Sequence, residues 1–162
     1  MFDTIIRGGT VLDGTGRPGF TADVGITAGK IAAVGALSAA PASRVIDASG
    51  RVVTPGFIDI HRHADAAAFR PGYGELELRQ GLTTIVNGNC GLSAASFGGA
   101  HDAAIRAYLR PITGDIPETL PAVSMAAYLA ALRALPLHTG MLVGMGTLRA
   151  AAAGYELEHL ED

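Results

Sequence analysis

Apolar and polar positions alternate in two different textures along this chain. Up to about residue 55, short apolar runs are broken by glycine-bearing turns. Thr4–Arg7 and Thr10–Leu12 flank Gly8-Gly9, and Asp13–Gly19 carries three glycines and a proline, which predicts a loop. Asp23–Ile26 and Lys30–Val34 flank Thr27-Ala28-Gly29, a hairpin signal, and Arg44–Ile46 and Arg51–Val53 flank a turn at Asp47–Gly50. The expectation is a small antiparallel β module over residues 1–55. From Thr54-Pro55-Gly56 onward, longer apolar strands alternate with Ala/Leu-rich helical stretches, the pattern of a parallel α/β fold.

Three strands are expected in that second part: Phe57–His61, Leu82–Val86 and Met141–Met145. A short helix is expected over Tyr73–Gln80, closed by Gly81. A second should run from an N-cap at Ser124 to Leu135, with Met125, Leu129 and Leu132 on one face and Pro136 ending it. Ser93–Pro121, rich in Gly and Pro, reads as mostly loop with a helix at His101–Leu109, and Tyr155–Asp162 reads as the first turns of a further helix. An eight-stranded α/β barrel takes about 250 residues, roughly 30 per strand–helix unit. The 107 residues after Pro55 suffice for about three units. An incomplete barrel is therefore expected, with an apolar edge that another chain or the rest of the barrel would cover.

Composition narrows the functional classes. With 49% hydrophobic and 17% charged residues among 162, the chain is not intrinsically disordered. Net charge is −3, and eleven of the twelve basic residues are arginines spread singly. Neither nucleic-acid binding nor a polybasic membrane patch has support. No run approaches the roughly 18–20 apolar residues of a membrane span, and MFDTIIRGG lacks the form of a signal peptide. One cysteine cannot form an internal disulfide, so a reducing, cytoplasmic setting is expected.

The candidate chemistry sits in Val52–Asp65, VVTPGFIDIHRHAD, an apolar run ending in His61-x-His63. On a strand these imidazoles would share a face, with Asp59 and Asp65 in the same parity. Cys90, the lone cysteine, follows the second strand in Asn87-Gly88-Asn89-Cys90-Gly91. Two adjacent strand ends bearing His-x-His and Cys could supply three ligands to one Zn2+, or Cys90 could bridge two ions as thiolate. The competing reading of Cys90 is an inert buried thiol. Asp59 and Asp65 are candidates to orient an imidazole or to cap the turn. Asn87 and Asn89 would fix the Cys90 loop or meet a substrate. His101 lies in the long loop, His138 at the wrong end of the third strand, and His159 near the end of the chain. Gly25-Ile-Thr-Ala-Gly-Lys30 is one residue short of a phosphate loop and lacks its Ser/Thr, and no serine sits in a Gly-x-Ser-x-Gly elbow.

With IIRGGTVLDGTG, GKIAAVG, RVIDASGRVVTPGFIDIHRHAD, LRQGLTTIVNGNCGLS and LVGMGTLR in view, the chain resembles the amidohydrolase superfamily, and within it the N-acyl-D-amino-acid deacylase branch. The resemblance implies the N-terminal part of a (β/α)8 barrel preceded by half of the family β-sandwich. It implies a zinc-dependent hydrolase of amide bonds in N-acyl-D-amino acids, with His61, His63 and Cys90 matching metal ligands. In that branch the cysteine takes the bridging role a carboxylated lysine plays in other relatives, and the one lysine here, Lys30, lies in the β module. The family's later histidine ligands and its general-base aspartate have no counterpart among these residues, so the chain alone is expected to be inactive without a second chain or C-terminal half. Met145 stands where relatives often carry histidine in Gly-His-Gly-Thr-Leu-Arg. A non-catalytic subunit stabilising a partner hydrolase, or a cyclic-amide hydrolase of the same superfamily, are the alternatives.

Overall fold

The computed structural model describes residues 1–95, 98–120 and 124–155. The chain divides into two compact units, Met1–Pro55 and Gly56–Asp162. The first is a five-stranded sheet of β1 (Phe2–Val11), β2 (Phe20–Thr27), β3 (Lys30–Gly35), β4 (Ala42–Asp47) and β5 (Val52–Val53). The order is β3-β2-β1-β4, with β5 also on β1.

The β2–β3 hairpin forms as expected. Its two-residue loop, Ala28-Gly29, has φ of 50° and 71°, the doubly positive pattern whose twist suits a tight hairpin. Two expectations are corrected. Thr4–Arg7 and Thr10–Leu12 are not separate strands: β1 runs through Gly8-Gly9 as a bulge, with Gly8 at φ 70° and its N–H donated to Asp23 Oδ1 at 2.8 Å. The module is also mixed, not antiparallel, because β4 and β5 both run parallel to β1. The turn after Asp47 does not reverse the chain. Ala48 N–H bonds Arg7 O and Thr10 N–H bonds Arg51 O, so the chain makes a detour and resumes pairing further along the same strand. Val11, Ala22 and Val24 form the small core.

The second unit is a three-stranded parallel sheet, ordered β6-β7-β8, of β6 (Phe57–Asp59), β7 (Leu82–Asn87) and β8 (His138–Met141). Between and after the strands come α1 (Glu75–Arg79), α2 (Asp102–Thr113), α3 (Met125–Ala131) and α4 (Met145–Ala153). This is the expected α/β alternation. Its core gathers Ile105 and Leu109 of α2, Tyr128 of α3, Leu132, and Ala94 and Ala95 from the loop after β7.

Three boundaries differ from expectation. The helix expected at His101–Leu109 forms but runs on to Thr113, twelve residues from Asp102, with Ile105 and Leu109, one turn apart, both completely buried. Pro111 falls in its last turn, where it removes one backbone donor of the helix. The third strand lies earlier than Met141–Met145: Thr84–Asn87 pair with His138–Met141, and Met145 begins α4. The first strand ends at Asp59 instead of His61. Ser124 does cap α3, accepting the Ala127 N–H at 3.4 Å. The helix expected over Tyr155–Asp162 and His159 fall, past Tyr155, outside the described residues. Among the described residues no helix is long and apolar enough to cross a membrane.

Candidate metal centre

The early end of β6 changes how the histidines are held. Asp59 Oδ1 accepts the N–H of His61 at 3.2 Å, closing a turn that takes the chain off the strand. His61 and His63 therefore do not share a strand face. Between them, Arg62 turns back to the sheet, its N–H bonding Val86 O at 3.2 Å. Its guanidinium reaches Asp59 Oδ2 at 3.3 Å and Glu77 Oε1 at 2.5 Å. With that middle residue anchored, the two imidazoles come edge to face, centroids 5.6 Å apart.

Cys90 arrives from the loop after β7. Gly88, Cys90 and Gly91 all have left-handed φ, of 75°, 57° and 76°. Such a conformation is uncommon for a residue with a side chain and clusters at functional sites. Cys90 is exposed, which sets aside the buried-thiol reading, and its Sγ lies 3.2 Å from His61 Nε2. One donor atom from each of His61, His63 and Cys90 falls within 4.8 Å of the others. Ligands of a tetrahedral zinc, at about 2.0–2.3 Å from the ion, stand roughly 3.3–3.6 Å apart. The His61–Cys90 pair is already near that spacing, and small side-chain rotations would close the rest. His63 Nδ1 is buried with no hydrogen-bond partner among the described residues, as an imidazole awaiting a ligand would be. The donor set fits a borderline-soft divalent ion.

The four polar candidates do not bond the imidazoles; three of them join the histidine-bearing segment to the Cys90 segment through the backbone. Asn87 Oδ1 accepts Ala64 N–H at 3.1 Å. Asn89 Nδ2 donates to Val86 O at 2.9 Å and to Arg62 O at 3.3 Å. Asp65 Oδ1 accepts Ala94 N–H at 3.1 Å. Burial pushes the Asp65 carboxyl above the usual carboxylate range, opposed by its backbone hydrogen bonds and by His63. Asp59 serves the turn and Arg62. His101 packs beside Gly154 at the end of α4, and His138 opens β8 on an exposed position, so neither joins the cluster.

Several participants were not singled out from sequence. Glu77, buried in α1, takes Arg62 on one oxygen and Gly74 N–H on the other at 3.1 Å. The spacing Gly74-x-x-Glu77 ahead of an apolar turn is a capping signal that could have flagged it. Tyr128 is fully buried and donates its hydroxyl to Asp65 O at 2.7 Å. Ser93 and Thr147, 54 positions apart, bond each other around the Cys90 loop, a pairing no local pattern signals.

Comparison with known proteins places these features in context. The model of the amidohydrolase family matches residues 44–154. An N-acyl-D-glutamate deacylase from Alcaligenes xylosoxydans xylosoxydans is 46% identical over 155 residues, covering 93% of this chain and 30% of that protein. The structure of the N-acyl-D-glutamate deacylase from Bordetella bronchiseptica, complexed with zinc and a phosphonate inhibitor, superposes with a TM-score of 0.79 at 41% identity, covering 93% of this chain and 31% of that one. A D-aminoacylase structure, studied for its binuclear metal centre, gives the same TM-score at 43% identity and the same coverage. The chain thus spans about a third of the length of the relatives it matches.

Proposed function

The chain belongs to the amidohydrolase family, and on that premise we propose that it forms the N-terminal part of a zinc-dependent D-aminoacylase-type hydrolase. The reaction proposed is hydrolysis of the amide bond of N-acyl-D-amino acids. The observation that carries this reading is the convergence of His61, His63 and Cys90 donor atoms within 4.8 Å. The two imidazoles and the thiolate would hold one ion, or two with Cys90 between them. The metal, when bound, lowers the pKa of a coordinated water toward 7 and polarises the scissile carbonyl.

The residues of this chain hold and orient. Arg62, through Asp59 and Glu77, fixes the peptide from which both imidazoles extend. Asn87, Asn89 and Asp65 keep the Cys90 loop against that peptide. The general base and the further histidines implied by the resemblance are not among these 162 residues. The outer edges of β6 and β8 are where the remaining strands of a (β/α)8 barrel would add, in a longer chain or a partner. Met1–Pro55 would be half of the accompanying β-sandwich. Phe57, Ile58 and Ile60, all more than half exposed, favour such a covering strand. A free cysteine thiol serving as ligand suits a reducing, cytoplasmic setting.

Titration of the 162-residue chain with Zn2+ and with spectroscopically active Co2+ tests the reading. Tight binding with thiolate-to-Co2+ charge-transfer absorption, lost in Cys90→Ala, is expected; an identical Co2+ spectrum in Cys90→Ala would refute the site. No hydrolysis of N-acetyl-D-amino acids is expected from these residues alone, and metal-dependent turnover by them would overturn that part of the proposal.

A further inference from the structure

Thr147 makes three hydrogen bonds with the loop that carries Cys90. Its hydroxyl accepts the Ser93 N–H at 2.9 Å and donates to Ser93 O at 3.1 Å, and its own N–H donates to Gly91 O at 3.1 Å. Ser93 answers with its side chain, accepting Gly144 N–H at 3.1 Å while donating to Ala95 O. Both residues are buried, Thr147 at 1% and Ser93 at 0% exposure. The approach is close enough to require glycine on the facing turn. A Cβ on Gly144 would stand 2.6 Å from Gly91 O, and one on Gly146 would stand 2.9 Å from it. Gly91, the residue after Cys90, and Ser93, two further on, are thus clasped by the first turn of α4.

We propose that Thr147 and Ser93 form a positioning buckle for Cys90, by which the turn between β8 and α4 sets the direction of the thiolate toward His61 and His63. The inference rests on the metal-centre reading above. Cys90 sits at φ 57°, between Gly88 and Gly91 that are also left-handed, so local preference alone does not hold it there. The loop's own tie within its turn is one backbone bond, Leu92 N–H to Asn89 O at 2.9 Å. Asn89 secures the side of the loop before Cys90, on Val86 and Arg62. The buckle secures the side after it. Thr147 is a positioning residue: it acts through the backbone of the loop and has no role at the metal itself.

The test is Co2+ titration of wild-type chain, Thr147→Val, Thr147→Ser and Ser93→Ala, with far-UV dichroism on each. Thr147→Val keeps shape and removes the hydroxyl. The expected result is native dichroism, about tenfold weaker Co2+ binding, the scale of losing an outer partner of a metal site, and a diminished thiolate charge-transfer band. The ligand-field bands from imidazole should persist, and Thr147→Ser should restore the wild-type spectrum. Ser93→Ala, losing the Gly144 bond, should follow Thr147→Val in weaker form. If folded Thr147→Val shows the wild-type charge-transfer intensity and affinity, the buckle does not position Cys90. If both Thr147→Val and Ser93→Ala lose the native dichroism, the pair is a folding element and the inference is overturned. A wild-type chain with no charge-transfer band would instead overturn the metal-centre reading on which it stands.

Discussion

Glu77→Gln should destabilise the Gly56–Asp162 unit by about 2 kcal/mol, between the range for exposed pairs, about 0–1 kcal/mol, and that for breaking buried ones, about 3–5 kcal/mol. The Glu77 side chain is 6% exposed and that of Arg62 28%, with 2.5 Å between nitrogen and oxygen, so neither extreme applies. Glutamine can still accept the Gly74 N–H, but its amide nitrogen would face the guanidinium, donor against donor. The consequence is specific: Arg62 lies between His61 and His63, and loosening it frees the peptide that carries both. For a unit of about 100 residues, a loss of about 2 kcal/mol lowers Tm by roughly 8–16 °C. All four tyrosines, at 73, 108, 128 and 155, lie in this unit and the chain has no tryptophan, so near-UV dichroism in the tyrosine band follows its unfolding. The control is Arg62→Met, alone and with Glu77→Gln, as a double-mutant cycle. Glu77→Gln should cost much less once Arg62 is gone. An equal cost in both backgrounds, or a loss under about 0.5 kcal/mol in the wild type, would refute the pairing as the source.

Tyr128→Phe removes the hydroxyl bonded to Asp65 O and leaves that buried carbonyl without its 2.7 Å donor. The expected cost is about 1–2 kcal/mol by the same dichroic transition, and an unchanged midpoint would contradict it. Asp23 in the Met1–Pro55 unit is held below its usual pKa of 3.8 by the N–H groups of Gly8 and Leu37. A carboxyl depressed on folding stabilises above its unfolded pKa, and the contribution disappears as pH falls through the folded value. That unit should therefore weaken below about pH 4, and Asp23→Asn should start less stable and show a flatter acid limb. Hydrogen exchange at the Gly8 amide across that range measures it; the wild-type acid limb surviving in Asp23→Asn would count against the assignment.

What could be read from sequence was what repeats locally. The β2–β3 hairpin follows from Ala28-Gly29 and its flanking apolar alternation. The division of texture at Thr54–Gly56 and the α/β alternation after it follow from apolar period. The convergence of His61, His63 and Cys90 was suggested by two short motifs and one strand-to-strand step. What could not be read depends on partners distant in sequence. β4 and β5 add to β1 on the edge opposite β2 and run parallel to it, a long-range pairing that no local pattern signals. α2 was legible at His101–Leu109, and only its last turn, which holds Pro111 and is closed by Gly114, was missed. β8 slid three residues toward the N-terminus, since Leu142 N–H continues the pairing to Asn87 O and Gly144 is already the N-cap of α4.

The histidine pair reaches Cys90 by a different geometry from the one the sequence suggests. Strand parity would place His61 and His63 on one face by backbone pleat alone, and no other residue would be needed. The strand ends at Asp59, and the pair is brought to Cys90 by bonds made elsewhere. Arg62 N–H on Val86, Asn87 on Ala64, Asn89 on Arg62 and Asp65 on Ala94 each run between the segment after β6 and the segment in or after β7. Every one has a backbone group at one end or both, so the two loops are held as one body while the three donor side chains remain free to turn. A metal site needs that division, because ligand rotation must accommodate the ion while the frame stays fixed. It follows that substitutions at the Asn87, Asn89 and Asp65 ties should weaken metal binding by about 10–100-fold in a Co2+ titration, without changing which atoms coordinate.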